Sequence, residues 1–295
     1  MNRDTADRNN SVSLTVALIS EVFFDDHAES RLRSALREAK DAGAELVVLP
    51  EIPLNPWAPA TKNLRDEDAE TMKGPRYQIQ ADAAADVGIG LLGGAIIKDS
   101  ETGDRFNTSL LFSLKGALIG SFRKCHIPEE PGFWETSHYS AGSQPSEILD
   151  AFGIRFGIQI CSDINRPQGA LALAAAGAEA VINPRATEFA TADRWRIVFT
   201  ALAITSGAYI LSVNRPAPEG GVLIGGPSVA VSPLGDVLID STDRISLVTL
   251  KRSVVEQART KYPGYLPVRS DLYASAWGKI DPIPGYHTNW STESV

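Results

Sequence analysis

The stretch RFGIQICSDINRPQGALALAAAGAEAVINP, residues 155–184, contains a complete strand–helix–strand unit. RFGIQIC is a short apolar run that reads as a strand, SDINRP is polar and ends in proline, and the Ala/Leu-rich GALALAAAGA reads as a helix feeding a second strand, EAVINP. Cys161 stands where the first strand gives way to the loop, and it is one of two cysteines in 295 residues. Taken alone, a cysteine with apolar neighbours reads as a small core side chain. Its surroundings suggest more. Asp163 or Asn165 suits the helix N-cap and Pro167 its first turn. A thiol at that place would feel the positive end of the helix, which lowers its pKa.

The same alternation extends in both directions. SLTVALIS (13–20) is a strand, residues 27–43 put Leu32, Ala35, Leu36 and Ala39 on one helical face before Gly43, and AELVVLPE (44–51) is a buried strand stopped near Pro50. A helical stretch is expected over 67–86, a strand over 89–97, and a hairpin over 107–124 turning near Lys115-Gly116. A second hairpin turns near Gly153. After the opening unit come a helix from Ala192, the strand YILSVN, a hairpin turning at Pro233-Leu234-Gly235, the strand ISLVTL and a short helix at 253–261. No repeat or low-complexity linker divides the chain. The expectation is one domain over 1–295, with a flexible segment at 1–11 and an irregular tail at about 263–295, built as an α/β fold of mixed sheets covered by helices.

Composition narrows the function classes. With 43% hydrophobic and 22% charged residues the chain is an ordinary globular one, and a formal charge of −8 without a Lys/Arg stripe argues against nucleic acid or an anionic membrane as partner. The polar opening MNRDTADRNNS lacks a signal-peptide core, no run approaches the length of a membrane span, and two cysteines make no disulfide framework. The cytoplasm is the expected location. The histidines at 27, 126, 138 and 287 lack ligand spacing, so no metal and no cofactor is expected. His126 reads as a hydrogen-bonded structural residue.

Three strand ends carry unlike groups: Glu51 after LVVLP, Lys124 after LIGSFR and Cys161 after FGIQI. Singly, each has an ordinary reading as a cap, an edge charge or a core residue. Together they form a chemical set, because a thiol needs a base to remove its proton and a cation to stabilise the thiolate and then an oxyanion. Ligand sites in open α/β sheets gather beyond the carboxyl ends of the strands, where these three would meet.

Four segments, ELVVLPEIPLNPW (45–57), FRKCHIPEEPGFWETSHYSAG (122–142), FGIQICSDINRPQGALALAAAGAEAVINP (156–184) and AYILSVNR (208–215), then give the chain a strong resemblance to the nitrilase superfamily of carbon–nitrogen hydrolases over nearly its whole length. The resemblance implies a four-layer α-β-β-α sandwich and a Glu-Lys-Cys triad, with Glu51 as general base, Lys124 as stabiliser of oxyanion and amine, and Cys161 as nucleophile. It also implies a supporting role for Glu135, in orienting the lysine and the substrate. Asp163, two positions after the nucleophile, is similar to the amidase and carbamoylase branches rather than to nitrilases, which tend to carry Glu there. KCHIPEEPGFWE resembles N-carbamoylputrescine amidase, and NPRAT with VNR resembles β-ureidopropionase. The sequence departs from the family at Ser162, often aromatic, at Leu171, often Arg, and in FTALAITSG. The family commonly pairs through outer helices, so a homodimer or larger homo-oligomer is expected.

The expected activity is hydrolysis of a small linear amide or N-carbamoyl compound through a cysteine thioester, with the Ser162 backbone N–H as a second oxyanion donor. Trp57, Phe133, Trp134, Tyr139 and Trp195 are candidate pocket aromatics, and Trp57, Trp134, Arg185 and Thr187 are carried as substrate-binding candidates. Arg185 suits either a substrate carboxylate or an ion pair with an internal acid. The alternatives are a nitrilase acting on a small nitrile and a catalytically silent binding or scaffold protein with the same fold.

Overall fold

The computed structural model describes residues 12–280. The expected flexible segment 1–11, the tail beyond residue 280 and His287 lie outside them. Strand β1 (Ser13–Ile19), helix α1 (Ala28–Asp41) and strand β2 (Leu46–Val48) form the first crossover, with β1 and β2 parallel in register Val16↔Leu46. Helix α1 turns Leu32, Ala35, Leu36 and Ala39 inward, the face its spacing specifies. Gly43 then takes φ 97, in the left-handed region that ends helices.

A 3-10 turn at Asp66–Asp68 and the short strand β3 (Ala69–Thr71) precede helix α2 (Pro75–Val87). The helix expected from 67 therefore starts at Pro75, whose missing N–H costs nothing in a first turn. Glu70 explains the boundary. Its carboxylate accepts from Arg76 N at 2.8 Å and Tyr77 N at 2.7 Å, satisfying N–H groups that a longer helix would have bonded internally. Strands β4 (Gly90–Lys98), β5 (Arg105–Phe112) and β6 (Leu118–Arg123) follow, and with the late strand β15 (Ile245–Lys251) the first sheet runs β15-β1-β2-β4-β5-β6, with β3 beside β4. A two-stranded ribbon, β7 (Glu129–Glu130) and β8 (Phe133–Trp134), stands apart.

The second sheet runs β14-β13-β12-β11-β10-β9. It contains β9 (Leu149–Ala151), β10 (Ile154–Ile158), β11 (Ala180–Arg185), β12 (Tyr209–Asn214), β13 (Ser228–Val231) and β14 (Val237–Ser241). Helix α3 (Pro167–Ala175) connects β10 to β11 and helix α4 (Ala192–Ser206) connects β11 to β12, and the three strands are parallel. Strand β15 (Ile245–Lys251) returns to the first sheet and leads into α5 (Arg252–Thr260).

The core shows the layering. One apolar cluster joins Val16, Leu46 and Leu92 of the first sheet to Phe156, Ile182 and Leu211 of the second. A second lies between the first sheet and α1 with α2, and a third between the second sheet and α3 with α4. The order is helices, sheet, sheet, helices, the four-layer sandwich expected. Among the described residues, those from Tyr265 to Ile280 belong to a separate compact unit. The tail expected to be irregular carries a helix there, α6 (Ser270–Trp277), because DLYASAW holds neither Gly nor Pro and Asp271 stands in its first turn. Among the described residues no helix is long and apolar enough to cross a membrane.

Candidate active site

Glu51, Lys124 and Cys161 each follow a strand by one to three residues, after β2, β6 and β10. The first two come from one sheet and the third from the other, and their side chains are buried together. Lys124 Nζ donates to Glu51 Oε1 at 2.8 Å and to Glu135 Oε1 and Oε2 at 2.8 and 2.6 Å. Asn107 Nδ2 donates to the same Glu51 Oε1 at 2.7 Å. Glu51 Oε2 is buried with no hydrogen-bond partner. The thiol of Cys161 is 4% exposed and reaches the Ala186 carbonyl at 3.7 Å.

Two of these residues sit on strained backbone. Cys161 has φ 45 and Ile52, next to Glu51, has φ 40, a region that costs non-glycine residues about 1–3 kcal/mol each. Both are braced. Arg215, fully buried after β12, donates to the carbonyls of Glu51 at 2.9 Å, Ile52 at 3.1 Å and Asn55 at 2.8 Å, and pairs with Glu219 at 2.6 Å. Asn183 donates to the Cys161 carbonyl at 3.1 Å. Asp163 accepts from Ile160 N at 3.1 Å, Cys125 N at 3.1 Å and His126 N at 2.8 Å. It thereby ties the Cys161 turn to the loop behind Lys124. His126 Nδ1 joins Asp163 at 2.8 Å, a hydrogen-bonded structural role, and the Ser162 hydroxyl donates to the His126 carbonyl.

The site holds one ammonium between two carboxylates. Burial works against the Lys124 charge, but Glu135 and then Glu51 hold it above the ordinary lysine range. Glu135 is pushed from 4.5 up to about 7, first by burial and then, against the pull of Lys124, by Glu51. The Cys161 thiol moves up, where the sequence suggested down. Burial is the main cause, Glu51 adds to it, and Lys124 opposes. The correction is geometric. Cys161–Asn165 is a separate 3-10 turn, and α3 begins only at Pro167, capped by neither Asp163 nor Asn165. A helix end acts within about one turn, so its field is spent before Cys161. Among the described residues no cluster of three His, Cys, Asp or Glu side chains could hold a metal.

The family pattern described as carbon-nitrogen hydrolase matches residues 5–260. This chain belongs to the carbon–nitrogen hydrolase family. The hydrolase is 31% identical over 256 residues to the chloroplastic omega-amidase of Arabidopsis thaliana, covering 83% of this chain and 69% of that protein. It is 27% identical over 254 residues to omega-amidase NIT2 of Homo sapiens, covering 83% and 90%. A crystal structure of a carbon-nitrogen hydrolase from Helicobacter pylori G27 superposes with a TM-score of 0.82 at 22% identity, covering 92% of this chain and 100% of that one.

The other expected site residues of the hydrolase divide. Glu135 meets Lys124 directly. The Tyr139 hydroxyl bonds Glu135, and burial raises it well above the ordinary tyrosine range. Trp57 is buried in an apolar cluster with Ile52, Ile127 and Ala186, its Nε1 bonded to the Gly132 carbonyl at 2.8 Å and its ring edge-on to Phe133. Trp134 is half-buried, with Lys62 Nζ 4.2 Å from its ring centroid. Thr187 is buried and accepts from Arg185. Among the described residues Arg185 makes no ion pair with an internal acid. It is enclosed by protein, against Trp195 and Phe199. Sequence reasoning missed Asn107, Asn183 and the bracing role of Arg215. Asn183 and Arg215 left a signal only as members of the NPRAT and VNR segments, with no hint of these contacts.

Proposed function

We propose that this carbon–nitrogen hydrolase cleaves small linear amides through a thioester on Cys161. The observation that carries the reading is the pair of oxygens on Glu51: Oε1 is held by Lys124 and Asn107, and Oε2 is buried and unpartnered beside a buried thiol. A raised thiol is not a standing thiolate, so its proton must leave as sulfur attacks, and Glu51 Oε2 is the open acceptor. Sulfur bonds to the amide carbon, and Lys124 with the Ser162 N–H stabilises the oxyanion. Glu51 returns the proton to the departing nitrogen, and the C–N bond breaks. Glu51 then takes a proton from water, whose oxygen displaces sulfur and releases the acid, and Glu51 passes that proton back to the departing sulfur to restore the thiol. Glu135 holds Lys124 in place. The names of the omega-amidase relatives support the amide class, and Asp163 at the second position after the nucleophile supports amide over nitrile.

The test is ammonia release from a panel of short amides, N-carbamoyl compounds and nitriles. Amides are expected to turn over, and Cys161→Ala to abolish release while circular dichroism stays native. Unchanged release in that variant would remove Cys161 from the chemistry. A silent panel would favour the binding-protein reading.

A further inference from the structure

Arg185 ends β11, is 1% exposed, and has its guanidinium 5.7 Å from the ring centroids of both Trp195 and Phe199. Its Nε donates to Ser212 Oγ at 2.9 Å, its Nη1 to Thr187 Oγ1, and its Nη2 to the Pro227 carbonyl. Among the described residues no carboxylate pairs with it. Burying an unpaired charge costs several kcal/mol. Burial lowers this group only to about 10, so it remains charged at neutral pH. Beyond burial, the titrating groups that act on it are Cys161, then Arg196 and Asp240, and those last two bond each other at 2.8 Å.

The polar contacts of Arg185 lead to the nucleophile. Ser212 Oγ, polarised by the guanidinium, donates to Asn183 O and Oδ1 at 2.9 Å each. Asn183 Nδ2 donates in turn to the carbonyls of Cys161 at 3.1 Å and Gln159 at 2.7 Å. Arg185, Ser212, Asn183 and Cys161 are all buried, so each bond in this series strengthens the next without competition from water. The series ends on the residue whose φ of 45 needs an external hold. Charge balance points the same way. With Glu135 ionised, Glu51, Glu135 and Lys124 leave one surplus negative charge, and Arg185 is a buried cation whose field reaches Cys161. When the thiol proton moves to Glu51, an S–H bond breaks, an O–H bond forms, and negative charge passes from Glu51 to the sulfur, a group on which the Arg185 charge acts.

We propose that Arg185 is a positioning residue for the nucleophile, acting through Ser212 and Asn183 to hold the Cys161 turn and through its buried charge to favour proton transfer from sulfur to Glu51. This rests on the nucleophilic role proposed for Cys161. The test measures iodoacetamide labelling of Cys161 against pH in a Cys125→Ala background, together with kcat and KM, for Arg185→Met, Arg185→Lys and Ser212→Ala. Arg185→Met is expected to slow labelling at pH 7 about tenfold, a shift of about one pH unit, and to lower kcat as much with KM unchanged. Arg185→Lys should recover part of this, and Ser212→Ala should lose a few-fold in the same direction. A folded Arg185→Met with the parent's labelling profile overturns the proposal. So does a rise in KM alone, which would make Arg185 a substrate anchor. If Arg185→Met does not fold, a Ser212→Ala profile identical to the parent's overturns it. If labelling of Cys161 in the parent leaves turnover intact, it is the nucleophile reading that fails, whatever the Arg185 variants do.

Discussion

Two of the buried carboxylate sites in the hydrolase are treated in opposite ways. Glu179, just before β11, accepts from Arg252 Nε at 2.5 Å and Nη2 at 3.0 Å, and from Arg155 N at 2.9 Å. Burial pushes its pKa up, but Arg252 and Arg155 pull harder, and the net shift is down. Glu135 is more fully enclosed by protein, shares one ammonium with Glu51, and shifts up. The Glu179 cluster has cations to spare, and Arg252 is 21% exposed at a surface cleft. The Lys124 cluster is sealed and short of positive charge. A surplus of counter-charge makes a structural clamp. A deficit leaves Glu135 poised to hold a proton.

The largest expected effect comes from removing the cation at each place. Lys124→Met leaves two carboxylates facing each other in a dry space. It should lose about 3–5 kcal/mol in denaturant unfolding and all amide turnover. Adding Glu135→Gln should recover much of the stability and none of the turnover. Arg252→Ala should lose less, about 1–3 kcal/mol, and leave turnover unchanged, because Glu179 keeps Arg155. Equal losses of turnover from the two variants would break the contrast.

A smaller effect separates the two carboxylates by pH. Glu135 moves from 4.5 up to about 7, so the native state keeps a proton that the unfolded chain has released. Its contribution to stability is complete below pH 4.5 and is lost as pH rises through about 7. Glutamine does not titrate. The Tm of Glu135→Gln should therefore rise relative to the parent's across that window, and a constant gap would contradict the shift.

The sequence made the triad legible because each member follows an apolar strand directly, a local pattern. Glu135 needed the longer motif. The bracing residues were not legible, because Asn107, Arg215 and Asn183 act across strands on residues 56, 164 and 22 positions away. Alternation says which face a side chain takes, not which loop it will meet. The thiol shift failed for the same reason: a nearby helix start is visible in sequence, whereas enclosure by Glu51 and the opposite sheet is not. The 67–86 helix was over-read because the Glu70 cap depends on the path of the chain, not on periodicity.

The central claim is that Cys161 carries the acyl group. Rapid acid quench of the enzyme during turnover of a short amide, followed by mass analysis of its peptides, tests it most directly. The account predicts an acyl adduct on the peptide containing Cys161, removed by hydroxylamine and absent from the peptide containing Cys125. Steady turnover through an adduct on any other residue would contradict it.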